Sequence, residues 1–239
     1  MRSAVKIRLA GDNDRARWDA YADKLPNTPP LSRYGWKRVL EESYGAKTFF
    51  LFALDGETVR GILPLYLTRD LRGRKRFFSL KFGLAADTEE ARNGLLSCLK
   101  KCMVEQNAVS SLITTGYGRI GTGLSEITKK TVVIELGADE GATWKSLRDK
   151  TRNMIRRGQK SGIVAERGFG NLKSFYRIYS ENMLQKGIPI HSYKFFKSIA
   201  ENFDGSSELI VAKIKNEVIG GGHWPSSLKI WAYIRSSLP

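Results

Sequence analysis

The residues with the most chemical potential lie near the end of the chain, where Gly220, Gly221 and Gly222 run into His223 and Trp224. Three glycines inside a β-strand pattern weaken a strand, so they mark either a bulge where another molecule approaches the backbone or a tight crossing against a helix. His223 can relay a proton near neutral pH, Tyr233 on the next predicted strand can donate one, and Trp224 can wall a pocket. A lone histidine, a tryptophan and a tyrosine are also ordinary core residues. Together these side chains could move protons and line a pocket beside an exposed stretch of backbone. His191, in the loop GIPIHSYKF, is a further candidate contact to substrate, although Ser192 beside it explains that loop as a helix start.

A second cluster is cationic. Thr143 to Gly162 reads as one helix, with Trp144, Leu147, Thr151 and Ile155 at the spacing of a buried face. Arg148, Arg152, Arg156 and Lys160 stand four apart beside that face. Three such like-charge steps cost roughly 0.6–1.5 kcal/mol in an isolated helix, with only Asp149 nearby and expected to point elsewhere. Arg152, Arg156, Arg157 and Lys160 are therefore candidate ligands for a diphosphate or a tRNA backbone, the alternative being a solvated helix face.

The elements that must position these groups occur in two similar runs. Asp14–Leu25 and a helix after Ser32 precede two apolar runs around Asp55-Gly56, a strong hairpin signal, and a strand at 76–82. Thr88 opens a helix to about Gln106, and short strands are expected at 111–114 and 131–136. After the cationic helix the order recurs. A helix capped by Asn171 comes first and one capped by Ser192 second. A hairpin around Lys215-Asn216 and a strand at 229–234 follow. The second run ends at Pro239, straight after its third strand, which reads as a domain cut short. The expected fold is α/β (α+β): two tandem domains, 1–138 and 139–239, each a mixed twisted sheet flanked by helices.

The chain has 239 residues with 40 basic and 24 acidic side chains, a formal charge of +16, and 41% hydrophobic residues. That suffices for packed cores and favours polyanionic partners: nucleotides, nucleic acid or an acidic membrane surface. The longest apolar runs, 49–54 and 62–67, are too short to span a bilayer. No secretory leader pattern opens the chain, and Cys98 and Cys102 read as core residues, so the expected location is the cytoplasm with no metal. Gly116–Gly121 matches G-x-G-x-x-G, but a turn-rich segment follows it rather than a helix. Arg119–Gly123 comes near a CoA pyrophosphate loop and is one residue short.

Three segments carry a family resemblance. WKRVLEESYGAKTFFLFALDGETVRGILPLYL, RNMIRRGQKSGIVAERG and FYRIYSENMLQKGIPIHSYKFFKSIAENF resemble, in that order, the FemAB-like proteins of the GNAT superfamily. The closest likeness is to the FemAB-related proteins found with bacterial exopolysaccharide and protein-sorting systems. The resemblance implies two GNAT-like domains and transfer of an acyl or aminoacyl group from acyl-CoA or aminoacyl-tRNA. The acceptor it implies is an amine on a small-molecule, glycan or peptide precursor of the cell envelope. It also implies that the donor lies along the strand bearing Gly220–Gly222. The competing expectation is a non-catalytic RNA- or tRNA-binding module, and a third is an inactive fragment.

Overall fold

The structure, a computed structural model, describes residues 5–25, 32–115, 125, 138–203 and 205–224, with the backbone alone at 223 and 224. It divides into two compact units, residues 1–128 and 129–239. Among the described residues there are seven α-helices, and none is long and apolar enough to cross a membrane.

In the first unit, the hairpin of β2 (Lys47–Asp55) and β3 (Thr58–Arg69) is the centre of a mixed sheet. β1 (Lys6–Leu9) pairs with β2, β4 (Lys75–Ser79) with β3, and β6 (Ala108–Leu112) runs parallel to β4. A two-residue strand, β5 (Ala85–Ala86), also pairs with β3. Strict alternation along β2 sends its side chains to two cores. Phe50, Phe52 and Leu54 join Trp18, Tyr21 and Ile62 under α1 (Arg15–Ala22) and α2 (Gly35–Tyr44). Phe49, Leu51 and Ala53 join Leu63, Leu65, Phe77 and Leu95 under α3 (Glu89–Glu105). Cys102 is buried in this second core and Cys98 packs against it; burial pushes the Cys102 thiol up to about 11. Both cysteines are structural.

In the second unit, β7 (Val164–Arg167), β8 (Glu208–Ile214) and β9 (Glu217–Trp224) form an antiparallel sheet in that order. α6 (Leu172–Gln185) and α7 (Tyr193–Asn202) cover one face, burying Leu172, Phe175 and Phe196 against Leu209, Val211 and Val218. Lys215 and Asn216, both at positive φ, make the two-residue turn that matches the right-handed twist of its strands.

Several expectations are corrected. The cationic segment is two helices, α4 (Glu140–Ser146) and α5 (Asp149–Lys160), because Leu147 and Arg148 adopt extended backbone between them. Its expected apolar stripe is not buried: Trp144 and Leu147 are half-buried, and Thr151 and Ile155 are exposed. Asp149 does compensate the ladder, forming an ion pair with Arg152. Ser32 does not cap α2, whose N-cap is Tyr34; the Ser32 carbonyl instead accepts from the Trp18 indole at 2.7 Å. Asn171 stands at the N-cap of α6 but donates its amide to Glu166 rather than capping. Thr88 and Ser192 do cap, accepting from Ala91 N and Phe195 N. The strand expected at 76–82 stops at Ser79, before Phe82 at positive φ. The expected strands at 131–136 and 229–234, and both glycine-loop motifs after residue 115, lie outside the described residues.

Candidate functional site

The two hairpins carry the same irregularity at the same place. In the first, Leu54 pairs with Val59 and Ala53 with Gly61, so Arg60 is an extra residue in β3. In the second, Lys213 pairs with Val218 and Ala212 with Gly220, so Ile219 is the extra residue in β9. Counting back from each bulge, both hairpins close through a two-residue turn. Gly220 therefore corresponds to Gly61, Gly221 to Ile62 and Gly222 to Leu63.

What fills the two bulges differs. In the first unit, β5 lies beside Gly61 and Ile62, and the Asp87 N–H donates to the Arg60 carbonyl at 2.8 Å. A Cβ on Gly61 would stand 2.9 Å from the Ala85 carbonyl oxygen and 3.1 Å from Leu95. The chain closes its own bulge there. In the second unit β9 pairs only with β8 among the described residues, and a Cβ on Gly220 would meet nothing within 4 Å. Gly221 behaves differently. Its Cβ would stand 2.8 Å from the Ile210 carbonyl oxygen and 3.1 Å from the Phe175 ring, so this glycine lets α6 close on the sheet. For Gly221 the helix-crossing alternative is the one the geometry favours; at Gly220 no described residue stands within 4 Å of a Cβ.

The cationic helix leads into the same end of that sheet. Four residues after Lys160, Val164 pairs with Lys213, which pairs on its other side with Val218 at the bulge. Two strand spacings put Val164 roughly 10 Å from Val218. Across that end the Lys213 ammonium is hydrogen-bonded to Glu166, which holds the carboxyl below its ordinary range. On α5, Arg152 is tied to Asp149, and Arg156 lies 5.4 Å over the Trp144 ring and 3.3 Å from Asn153. Arg157 and Lys160 carry exposed cations with no side-chain partner among the described residues. The pairing of Arg156 with Trp144 went unread in the sequence because the two were assigned to one continuous helix.

His191 sits in the α6–α7 loop, its ring stacked on Phe195 at 4.3 Å and its backbone N–H donating to the Tyr179 hydroxyl at 3.1 Å. Partial burial there lowers its pKa from the usual imidazole value. The backbone of His223 pairs with Leu209 and that of Trp224 with Glu208. Their side chains and Tyr233 lie outside the described residues. Among the described residues no cluster of His, Cys, Asp and Glu could hold a metal ion.

The described residues thus form a mixed α/β fold in two units, with a bulged, glycine-bearing strand in the second. Residues 107–217 match the FemAB family, a stretch running from the last strand of the first sheet into β9. The structure resembles the crystal structure of FemX with a TM-score of 0.64 and 18% identity. The match covers 87% of this chain and 58% of FemX, so the chain spans little more than half that protein's length. It also matches a GNAT family acetyltransferase from Staphylococcus aureus, over 54% of this chain and 99% of that one, at 16% identity and a TM-score of 0.38. A ribosomal-protein-alanine N-acetyltransferase from Brucella melitensis matches over 56% and 99%, at 13% and 0.38. No curated protein matches the sequence.

Proposed function

We propose that the chain is an N-acyltransferase of FemAB-like type whose second unit holds the donor. The supporting observation is the pair of equivalent bulges, one closed by Ala85–Ala86, Asp87 and Leu95, the other with no described residue within 4 Å of a Cβ at Gly220. A residue that a bulge leaves out of the ladder retains a backbone group free to bond elsewhere. At Ile219 that N–H donates to the acyl carbonyl oxygen and stabilises the charge that grows there as the tetrahedral intermediate forms.

In the reaction the amine nitrogen of the acceptor attacks the acyl carbon. A C–N bond forms, and the C–S bond of an acyl-CoA or the C–O bond of an aminoacyl-tRNA breaks. The thiol or ribose hydroxyl leaves with a proton, and the nitrogen gives up its own. His223 and Tyr233 are the candidates to move these protons, and Trp224 to wall the site. Gly220 and Gly222 give the donor room along β9, while Gly221 keeps that strand close to α6. Arg157 and Lys160 hold the donor's phosphates, with Arg152 and Arg156 behind them already engaged by Asp149 and Trp144. Their placement beyond β7, at the bulged end of the sheet, suits a donor whose phosphates and acyl group lie some distance apart. His191, stacked on Phe195, is the candidate to touch the acceptor. The acceptor is an amine on a cell-envelope or exopolysaccharide-related precursor, and the protein acts in the cytoplasm.

The test is to incubate the protein with labelled acetyl-CoA or aminoacyl-tRNA and an amine acceptor, following both thermal stabilisation and label transfer. Transfer from either donor, lost when Gly220 carries a bulky side chain, supports the proposal. Tight, salt-sensitive binding of uncharged tRNA with no transfer from either donor supports the RNA-binding module instead.

A further inference from the structure

The loop joining β3 to β4 is built to hold an apolar side chain out in solvent among cations. Between Arg69 and Arg76 the sequence RDLRGRKR has five basic residues and one acid. At its tip Leu71 is fully exposed, with a relative accessibility of 108%, the highest of any large hydrophobic side chain among the described residues. A lone exposed leucine needs no explanation. A leucine held at the apex of a rigid cationic turn does.

The rigidity comes from Asp70. Its carboxylate accepts from the backbone N–H of Arg72 at 2.9 Å and of Arg74 at 3.0 Å. It also accepts from the Arg74 guanidinium at 2.8 Å and from Arg76 at 3.2 Å. The Asp70 backbone closes the loop from the other side, donating to the Arg74 carbonyl at 3.0 Å and accepting from Gly73 N at 2.9 Å. Gly73 supplies the positive φ of 76° that lets the chain reverse. The acid is thus consumed in shaping the turn. Outside it, the Arg72 guanidinium has no partner among the described residues, and Arg69 reaches only the Gly73 carbonyl at 3.4 Å. Lys75 bonds the Gln106 carbonyl at 2.9 Å, down the side of the sheet.

The order along the projection is therefore an apolar apex, a free cation next to it, and further cations at the base. That is the order of chemistries met on entering an anionic bilayer in reverse: phosphates outside, hydrocarbon within. A nucleic-acid backbone would satisfy the arginines and leave Leu71 in water. A turn already fixed in shape also loses little conformational freedom on docking. We propose that this turn inserts Leu71 into an anionic lipid surface while Arg69 and Arg72 contact the phosphates. The turn belongs to the first unit, so the proposal stands apart from the donor site of the second.

The test is co-sedimentation of the whole chain with vesicles of phosphatidylcholine alone or mixed with phosphatidylglycerol. The protein is expected to bind the mixed vesicles and not the neutral ones. Leu71→Ser should weaken that binding roughly tenfold, while Leu71→Phe retains it, because the lost term is burial of one apolar side chain. Arg69→Ser with Arg72→Ser should weaken it roughly tenfold or more and flatten its dependence on phosphatidylglycerol. All three variants leave the Asp70 turn and both cores untouched. The proposal is overturned if the protein ignores mixed vesicles, or if the Ser and Phe variants bind equally. It is overturned equally if the arginine changes abolish binding to a short RNA while leaving vesicle binding intact.

Discussion

Adding one methyl group to each of two adjacent glycines separates packing from ligand space. Gly221→Ala puts a Cβ 2.8 Å from the Ile210 carbonyl oxygen, a backbone atom of the partner strand, and 3.1 Å from both Phe175 and Val211. Real Cβ atoms keep a few tenths of an ångström further from such neighbours, and neither β8 nor α6 can yield without disturbing the core of Leu209, Val211 and Phe175. Overpacking of this kind costs about 1–3 kcal/mol. Gly220→Ala meets no described residue within 4 Å. Its φ is not positive, so alanine fits the native backbone and restricts the unfolded chain, a change of about 0 to +1 kcal/mol. Urea unfolding should thus place the two variants some 1–4 kcal/mol apart, and thermal melts should show Gly221→Ala lower by several degrees. Acyl-CoA binding should run in the opposite sense: weakened in Gly220→Ala although its fold is at least as stable. If the two variants unfold at the same denaturant concentration, the assignment of Gly221 to packing is wrong. If Gly220→Ala binds donor as the parent does, the open bulge is not the donor site.

Three further outcomes follow from the same geometry. Asp14, held by Arg8 at 2.6 and 2.7 Å and by the Gly11 N–H at 2.8 Å, has its carboxyl lowered to about 2. Because the folded value is depressed, the stability it contributes is present above the ordinary carboxylate range near 4 and is lost as pH falls toward 2. Asp14→Asn should cost about 1–2 kcal/mol in urea unfolding at pH 7 and nearly nothing at the acid limit. Ser192→Ala removes the acceptor for Phe195 N at 3.2 Å and should destabilise the second unit by about 1 kcal/mol in thermal unfolding. Replacing Arg157 and Lys160 together by Ala should weaken donor binding by about ten- to a hundredfold in calorimetry, leaving the unfolding midpoint unchanged, since neither makes a side-chain contact among the described residues.

Much of the architecture was legible because short-range rules dominated where they applied. The apolar runs around Asp55-Gly56 and Lys215-Asn216 do form hairpins, although the first turn is Gly56-Glu57 with Asp55 paired to Thr58, and Thr88 and Ser192 cap the helices that follow them. The failures have physical causes. Ser32 lost its capping role to tertiary structure, since its carbonyl serves the buried Trp18 indole. The break at Leu147–Arg148 carries neither proline nor glycine, so periodicity ran straight through it. The stripe of Trp144, Leu147, Thr151 and Ile155 has helical spacing, but spacing does not say what covers the apolar side. The glycine run announced an irregular strand. That an equivalent bulge exists in the first unit, and is closed there by two alanines, became visible only once β5 was paired with β3.

The divergence between the two hairpins argues for function more strongly than either hairpin alone. Ile62 and Leu63 are fully buried, one in each core of the first unit. At the corresponding places the second unit has Gly221 and Gly222. Burying an aliphatic side chain of this size stabilises a fold by about 1.5–3 kcal/mol, so two such losses forgo roughly 3–6 kcal/mol. Each glycine adds backbone freedom that folding must also overcome. Part of the loss at Gly221 is recovered, because Phe175 moves into the space that a side chain would take. Gly220 is glycine in both copies' register, yet in the first its bareness admits Ala85, Ala86 and Leu95, while in the second nothing described takes advantage of it. A strand that keeps the bulge, keeps the bare backbone and gives up the filling has the composition expected where a ligand supplies the missing contacts. Putting the first unit's filling back is the corresponding experiment: Gly222→Leu should abolish donor binding.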